Sequence, residues 1–341
     1  MQKRTYKILD LVFIFSTLLL ASYLIWQFWP SKIKWLEQTG QKDNTDSKPA
    51  FIDKLTGLPS DNASDLDPKT IAVMIDNHPD AFLISGLNSA KIVYEAPVEG
   101  GMTRFMAIFS SVQEIDKVGP VRSARPDYFD WAKEYGIPLY LHCGGSPDAL
   151  KILKTDRGMV DVNEFYNGKY FWRDNSRLAP HNLYISSSLW QELLTLKKPA
   201  DTSWLSFRFG ENRTTSVAEN LEIKYVNGWT VTWKYNKNIY ERYFNDEKFL
   251  DDKEEPVTAQ TIIIVKNKVK ILDEIGRRAI YNIGTGETFI FADGKVTTGT
   301  WKKTKSEFRT RFYDENGTEL SVPPGKIWFM SVPEENEVKI F

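Results

Sequence analysis

Sulfur and histidine are scarce in this sequence, with one cysteine and three histidines among 341 residues. A single thiol excludes a disulfide framework and a cysteine-based zinc finger. It also suits an oxidising compartment outside the cytoplasm, where a spare thiol is a liability. Surplus charge is missing too. The 44 Lys and Arg nearly cancel the 45 Asp and Glu, so no basic field points to nucleic acid and no acidic field to a cationic partner. Glycine-rich dinucleotide loops, P-loops and zinc-protease helices are absent, which leaves nucleotide and protease chemistry without support and calls for no cofactor.

Long apolar stretches occur in one place, Ile8–Trp29. A run of about 20 such residues is long enough to cross a bilayer core. Lys3, Arg4 and Lys7 precede it, so residues 1–7 are placed in the cytoplasm and 8–29 form a transmembrane signal-anchor. Cleavage near Leu20-Ala21-Ser22 is the competing reading, but the apolar run continues through Leu24-Ile25-Trp26, which favours retention. Residues 30–54 are polar and read as a flexible linker. The turn-forming Thr56-Gly57-Leu58-Pro59 then announces a folded region.

Two domains are expected beyond the linker. In 55–215, apolar strand-like runs (Ile71–Ile75, Ile92–Tyr94, Thr103–Ser110, Pro138–Leu141) alternate with helix starts at Arg125-Pro126 and Ser146-Pro147-Asp148. That alternation predicts an α/β or α+β layer. In 216–341 the pattern changes to short strands punctuated by Asn227-Gly228 and Asp314-Glu315-Asn316-Gly317. It predicts a mainly-β module of small sandwich or barrel type. Trp229, Trp233, Trp301 and Trp328 serve there as core or, where exposed, as a glycan- or protein-docking surface.

The residues able to carry chemistry gather between Thr70 and Asp148. Asp76, Glu95 and Glu99 each follow a strand, and two carboxylates are the minimum equipment for cutting a glycosidic bond. Glu99 has the best setting, with two glycines beside it and Thr103-Arg104 shortly after; the bland alternative is that the acids only brace loops. Arg122, Ser123 and Arg125 precede a helix, a place suited to holding a carboxylate or phosphate, or else to pairing with those acids.

His142-Cys143-Gly144-Gly145-Ser146 supports three readings. Cys143 is a nucleophile with His78 or His181 as base; Asp76, His78, His142 and His181 hold a metal; or the Gly144-Gly145-Ser146 turn forms a backbone anion cradle with Cys143 buried. The third is preferred, so no metal is assigned. His181 and Asn182, with Tyr166, Tyr170, Phe171 and Trp172, mark a loop-rich stretch that is either a sugar-facing wall or loop packing.

The stretches TGLPSDN, AVMIDNHPDA, IVYEAPVEGGMTRFMAIF, KVGPVRSARPDYFDWA and LHCGGSPDAL, and later GTWKK, YDENG and GKIWF, resemble the YerB family. This is a group of bacterial envelope proteins carrying a domain of unknown function. The likeness runs from about Leu55 to the end of the chain and implies a cell-envelope location for domains outside the membrane. Family members are described as lipoproteins with an acylated cysteine. Here Ser22 stands where that cysteine would be, so the anchor would be the helix itself.

Together these features predict a membrane-anchored protein that acts on or binds peptidoglycan or another anionic wall polymer. Its cleaving version is a muramidase or lytic transglycosylase with Glu99 as general acid, assisted by Asp76 or Glu95. Arg104, Arg122, Ser123, Arg125, His142, Gly144, Gly145, Ser146, His181 and Asn182 would contact substrate. The first alternative is a non-catalytic scaffold for other envelope proteins. The second is a metal-dependent hydrolase built on Asp76, His78 and His142.

Overall fold

Strands with apolar residues at consecutive positions need cover on both faces, and the architecture supplies it. The computed structural model describes residues 51–212, 215–225 and 228–341. The expected cytoplasmic start, signal-anchor and most of the linker lie outside the described residues, among which no helix is long and apolar enough to cross a membrane. The folded part begins slightly earlier than the turn chemistry implies. Phe51–Ile52 pairs with Pro59–Ser60, and buried Asp53 accepts a hydrogen bond from Lys91 Nζ at 2.8 Å.

The α/β segment contributes β1 (Thr70–Ile75), β2 (Ile92–Pro97), β3 (Thr103–Ser110), β4 (Leu139–His142) and β5 (Val160–Asn163). Its regular helices are α1 (Pro147–Leu153), capped by the Ser146 hydroxyl, and α2 (Ser187–Lys197). Pro126–Tyr135, expected as one helix, is a short α-turn between two 3₁₀ turns. The C-terminal segment is mainly β. Its longer strands are β6 (Asn220–Lys224), β7 (Thr230–Asn236), β8 (Ile239–Phe244), β9 (Thr261–Asn267), β10 (Gly284–Ala292), β11 (Lys295–Lys303), β12 (Ile327–Pro333) and β13 (Val338–Ile340).

The C-terminal strands do not close into a module of their own. One sheet runs β11, β10, β9, β12, β2, β3, β1, β4, β5, so strands of both segments form a single surface. The join is the parallel pair β12–β2, with Ile327 opposite Ile92 and Met330 opposite Glu95. A second sheet of β8, β7, β6 and β13 covers part of one face. On that side Ile71, Val73, Val93, Phe105 and Trp328 meet Leu221, Trp233 and Tyr240, together with Trp190 of α2. On the opposite face Met74, Tyr94, Met106 and Phe329 meet Tyr128, Trp131 and Tyr135. Both faces are therefore dry, which explains why β1 to β3 lack polar alternation.

Three of the four candidate surface tryptophans are core residues. Trp233, Trp301 and Trp328 are buried, while Trp229 is half-buried and edge-on to Phe244. Of the four, only Trp229 is left partly at the surface to contribute to a docking face.

Candidate functional site

Side-chain parity on β2 and β3 decides the fate of the acids. Glu95 shares the Val93 face, which meets the second sheet, and it is completely buried. Its Oε1 accepts from Arg242 Nη2 at 2.8 Å and from Thr103 Oγ1 at 2.7 Å; its Oε2 accepts from Trp328 Nε1 at 2.8 Å. An acid enclosed in this way cannot reach a substrate, so Glu95 is a structural group and not the expected catalytic assistant.

Asp76 is also buried. Its Oδ2 lies 2.8 Å from His181 Nδ1 and 3.0 Å from Arg122 Nε, the latter an ion contact not aligned as a hydrogen bond, and its Oδ1 accepts from the Asn77 amide. Asp76 therefore positions two side chains and does not face open solvent.

Glu99 differs. It sits in a 3₁₀ turn, Glu99–Gly101, whose two glycines both adopt positive φ (71° and 75°), a backbone that side-chain-bearing residues avoid. That turn puts the carboxylate on the wall of an open cleft of about 480 Å³. Arg125 clamps it with two nitrogens at 2.8 and 2.9 Å. Burial pushes the Glu99 carboxyl up, but the hydrogen bonds and charge of Arg125 outweigh it and leave the group below the usual glutamate range.

The cleft brings together Glu99, Arg104, Arg122, Ser123, Arg125, Gly145 and Ser146, all anticipated as site residues. Sequence reasoning missed Met102, Ile275 and Arg277. The last two arrive from a hairpin, Val269–Ile271 with Arg278–Ile280, which Arg278 ties to the rim by donating to the Val98 carbonyl at 2.8 Å. Nothing local in the sequence signals that approach.

Four arginines thus face one carboxylate across this cleft. Three have carboxylate partners: Arg125 has Glu99, Arg122 has Asp76 and Arg277 has Asp273. Arg104 has none among the described residues. Only 6% exposed, it donates from Nη1 to the Ser123 carbonyl at 3.1 Å, and its Nε has no hydrogen-bond partner. Burial, and then the charge of Arg125, lower the Arg104 guanidinium to about 10, still protonated at neutral pH.

The remaining predicted contacts fall elsewhere. His142 is fully buried beneath the sheet end, with Nδ1 2.6 Å from the Gly144 carbonyl and Nε2 2.7 Å from Asp161 Oδ1. It can serve neither substrate nor the expected metal set. Gly144 (φ 64°) spends its amide on Asn163 Oδ1, and the Ser146 amide goes to the Ala124 carbonyl. Two of the three amides of the anticipated backbone anion cradle are therefore already taken by the protein's own acceptors.

Asn182 is a buried latch between Arg173 and the carbonyls of Asp174 and Arg177. Cys143 donates to Glu164 at 3.5 Å, and burial followed by that acid raises the thiol above its ordinary value, which removes the nucleophile reading. Of the expected aromatic wall, Tyr170 and Phe171 are buried, Trp172 is half-buried and Tyr166 is exposed.

Two larger hollows exist, of about 700 Å³ around Trp204 and Phe308 and about 800 Å³ between Arg208 and Glu319. Neither contains an anticipated site residue. The buried Arg309 of the first is spent on Glu134, which also takes Lys303 Nζ at 2.6 Å and Thr310 Oγ1 at 2.7 Å. Size alone does not make a site; an uncommitted buried cation does.

Comparison with known proteins finds two family domains in the chain. Residues 55–200 match the N-terminal domain, and 221–329 the C-terminal domain, of a protein family of unknown function, DUF3048. "Putative lipoprotein YerB" of Bacillus subtilis (strain 168) is 32% identical over 295 residues, which cover 84% of this chain and 87% of that protein. A crystal structure of YerB from Bacillus subtilis superposes with a TM-score of 0.75 at 30% identity, over 85% of this chain and 99% of that one.

Proposed function

The chain belongs to the DUF3048, or YerB-like, family, and from that premise we propose that it is an envelope protein that binds an anionic wall polymer without cutting it. The likeness to a lipoprotein supports a place at the membrane with the folded part facing outward. In this chain the basic start and the apolar run 8–29 stand in for an acylated cysteine, which the sequence lacks at Ser22.

The carrying observation is Arg104. A guanidinium held nine-tenths buried at a cleft wall, with no hydrogen-bond partner at Nε and no carboxylate partner among the described residues, is a charge awaiting an anion. Holding is better supported than cutting. A glycosidase acid needs a raised pKa and a second carboxylate across the sugar, whereas Glu99 is lowered and is the only acid among the described residues that lines the cleft.

The test uses the full chain in mild detergent with purified sacculi. The expected result is sedimentation with the wall, about tenfold weaker in Arg104→Met, with no soluble muropeptide in the mass spectrum. Equal sedimentation of Arg104→Met would overturn the binding reading. Muropeptide release abolished by Glu99→Gln would restore the cleaving one.

One observation favours a second reading, docking to another envelope protein. The hairpin beside the cleft exposes Ile271, Leu272, Ile275, Tyr281 and Ile283, an apolar grouping of the kind partners cover. If that role dominates, Ile271→Asp and Leu272→Asp, neither of which lines the cleft, abolish crosslinking to envelope proteins in cells while wall sedimentation is unchanged.

A further inference from the structure

The sequence has three histidines, and the fold stacks two of them. His78, in the loop after β1, and His181, more than a hundred residues later, lie with ring centroids 4.8 Å apart and planes 20° from parallel. Asp80 stands beside them, and one donor atom from each of the three residues lies within 4.8 Å of the other two. We infer that His78, Asp80 and His181 form a binding site for a divalent transition-metal ion, with zinc the best match to two imidazoles and a carboxylate.

The support behind the ligands argues against accidental packing. Asp76 Oδ2 sits 2.8 Å from His181 Nδ1. A carboxylate there holds the proton on Nδ1 and leaves the Nε2 lone pair free, the usual backing of a metal-bound histidine. Asp76 is itself fixed by the Asn77 amide and Arg122, so the His181 ring is held in orientation before any ion arrives.

The Asp80 amide donates to His78 Nδ1 at 3.2 Å, and Asp80 Oδ2 lies 3.5 Å from the same nitrogen, so an ion taken at Nδ1 displaces that amide hydrogen bond. The His78 ring is pinned to the same short turn, Pro79–Ala81, as the third ligand. Donors around a tetrahedral zinc stand roughly 3.4 Å apart. The site must therefore contract slightly, and the Asp80 side chain, 73% exposed, is free to move inward. A partly exposed three-ligand set leaves a fourth position for water or an incoming anion.

This site differs from the metal set expected from the sequence. His142 is excluded by its own burial, Asp76 moves behind the ligands, and Asp80 enters. The inference does not rest on the anion cleft, because none of the three ligands lines it.

The test is zinc alone, titrated into chelator-stripped full chain at pH 7.5 against a chromophoric competitor. One equivalent per chain is expected, weakened at least tenfold by His181→Gln and by His78→Gln, and unchanged in Arg104→Met. His78 is exposed enough that its replacement keeps the fold intact should His181→Gln misfold. Absence of a stoichiometric equivalent, or undiminished affinity in the folded His78→Gln protein, would overturn the site.

Discussion

Glu95 lies near the end of β2 against Arg242, and Glu99 lies in the turn that follows, against Arg125. The first pair is shut between two sheets with both side chains fully buried; the second stands on a cleft wall with both about one-fifth exposed. In the sealed pair, the two Arg242 nitrogens without hydrogen-bond partners are covered by ring faces, with Phe249 at 4.4 Å and Trp328 at 5.6 Å from the guanidinium carbon. In the open pair, the neighbouring Arg104 is left over. The same residue types, one turn apart, brace the fold in one case and prepare a binding surface in the other. Burial decides between them.

The sharpest way to break that contrast is Arg242→Met. It strands a buried carboxylate, and a cost of about 3–5 kcal/mol is expected, read as a lowered urea midpoint. Matching destabilisation by Arg125→Met would erase the distinction. Next in size is a pH effect at Asp127, which accepts the Ile280 amide hydrogen at 2.7 Å and whose carboxyl burial lifts to about 6 from an ordinary 3.8. A folded pKa above the unfolded one means that the native state holds its proton longer. This group's contribution to stability therefore declines as pH rises from about 4 to about 6, and is level above that. Asp127→Asn keeps the acceptor and removes the slope, which gains up to about 3 kcal/mol at pH 7 in denaturant titrations.

Arg104→Met then costs about 1.4 kcal/mol in wall binding, the tenfold loss already given, with little change in melting temperature. The smallest effect is Glu99→Gln. Breaking a partly exposed pair shifts stability by less than about 1 kcal/mol, and freeing Arg125 strengthens anion binding, measurable as a higher bound fraction at fixed salt.

Much of the frame was readable in advance because apolar runs without polar alternation announce doubly covered strands. Thr103–Ser110 coincides with the observed β3. The cleft's nearer half was also readable, since Glu99, Arg104, Arg122, Ser123 and Arg125 lie close along the chain. What escaped depends on partners distant in sequence. No local pattern tells that Arg242 will meet Glu95 from another sheet, or that Arg277 and Ile275 will swing over the cleft on a hairpin. The same holds for His181 beside His78. Periodicity reports which face is buried; it does not name the residue waiting on the other side.

β12 occupies the middle of the main sheet, between β9 and β2, although it is nearly the last strand in the chain. A polypeptide threaded outward from its amino end exposes β2 as a raw hydrogen-bonding edge until almost the whole chain has emerged. The closing step of assembly is thus the insertion of a central stave, not the addition of an outer one. Cutting the gene between the two family domains would yield a first half with a gap where its neighbour belongs.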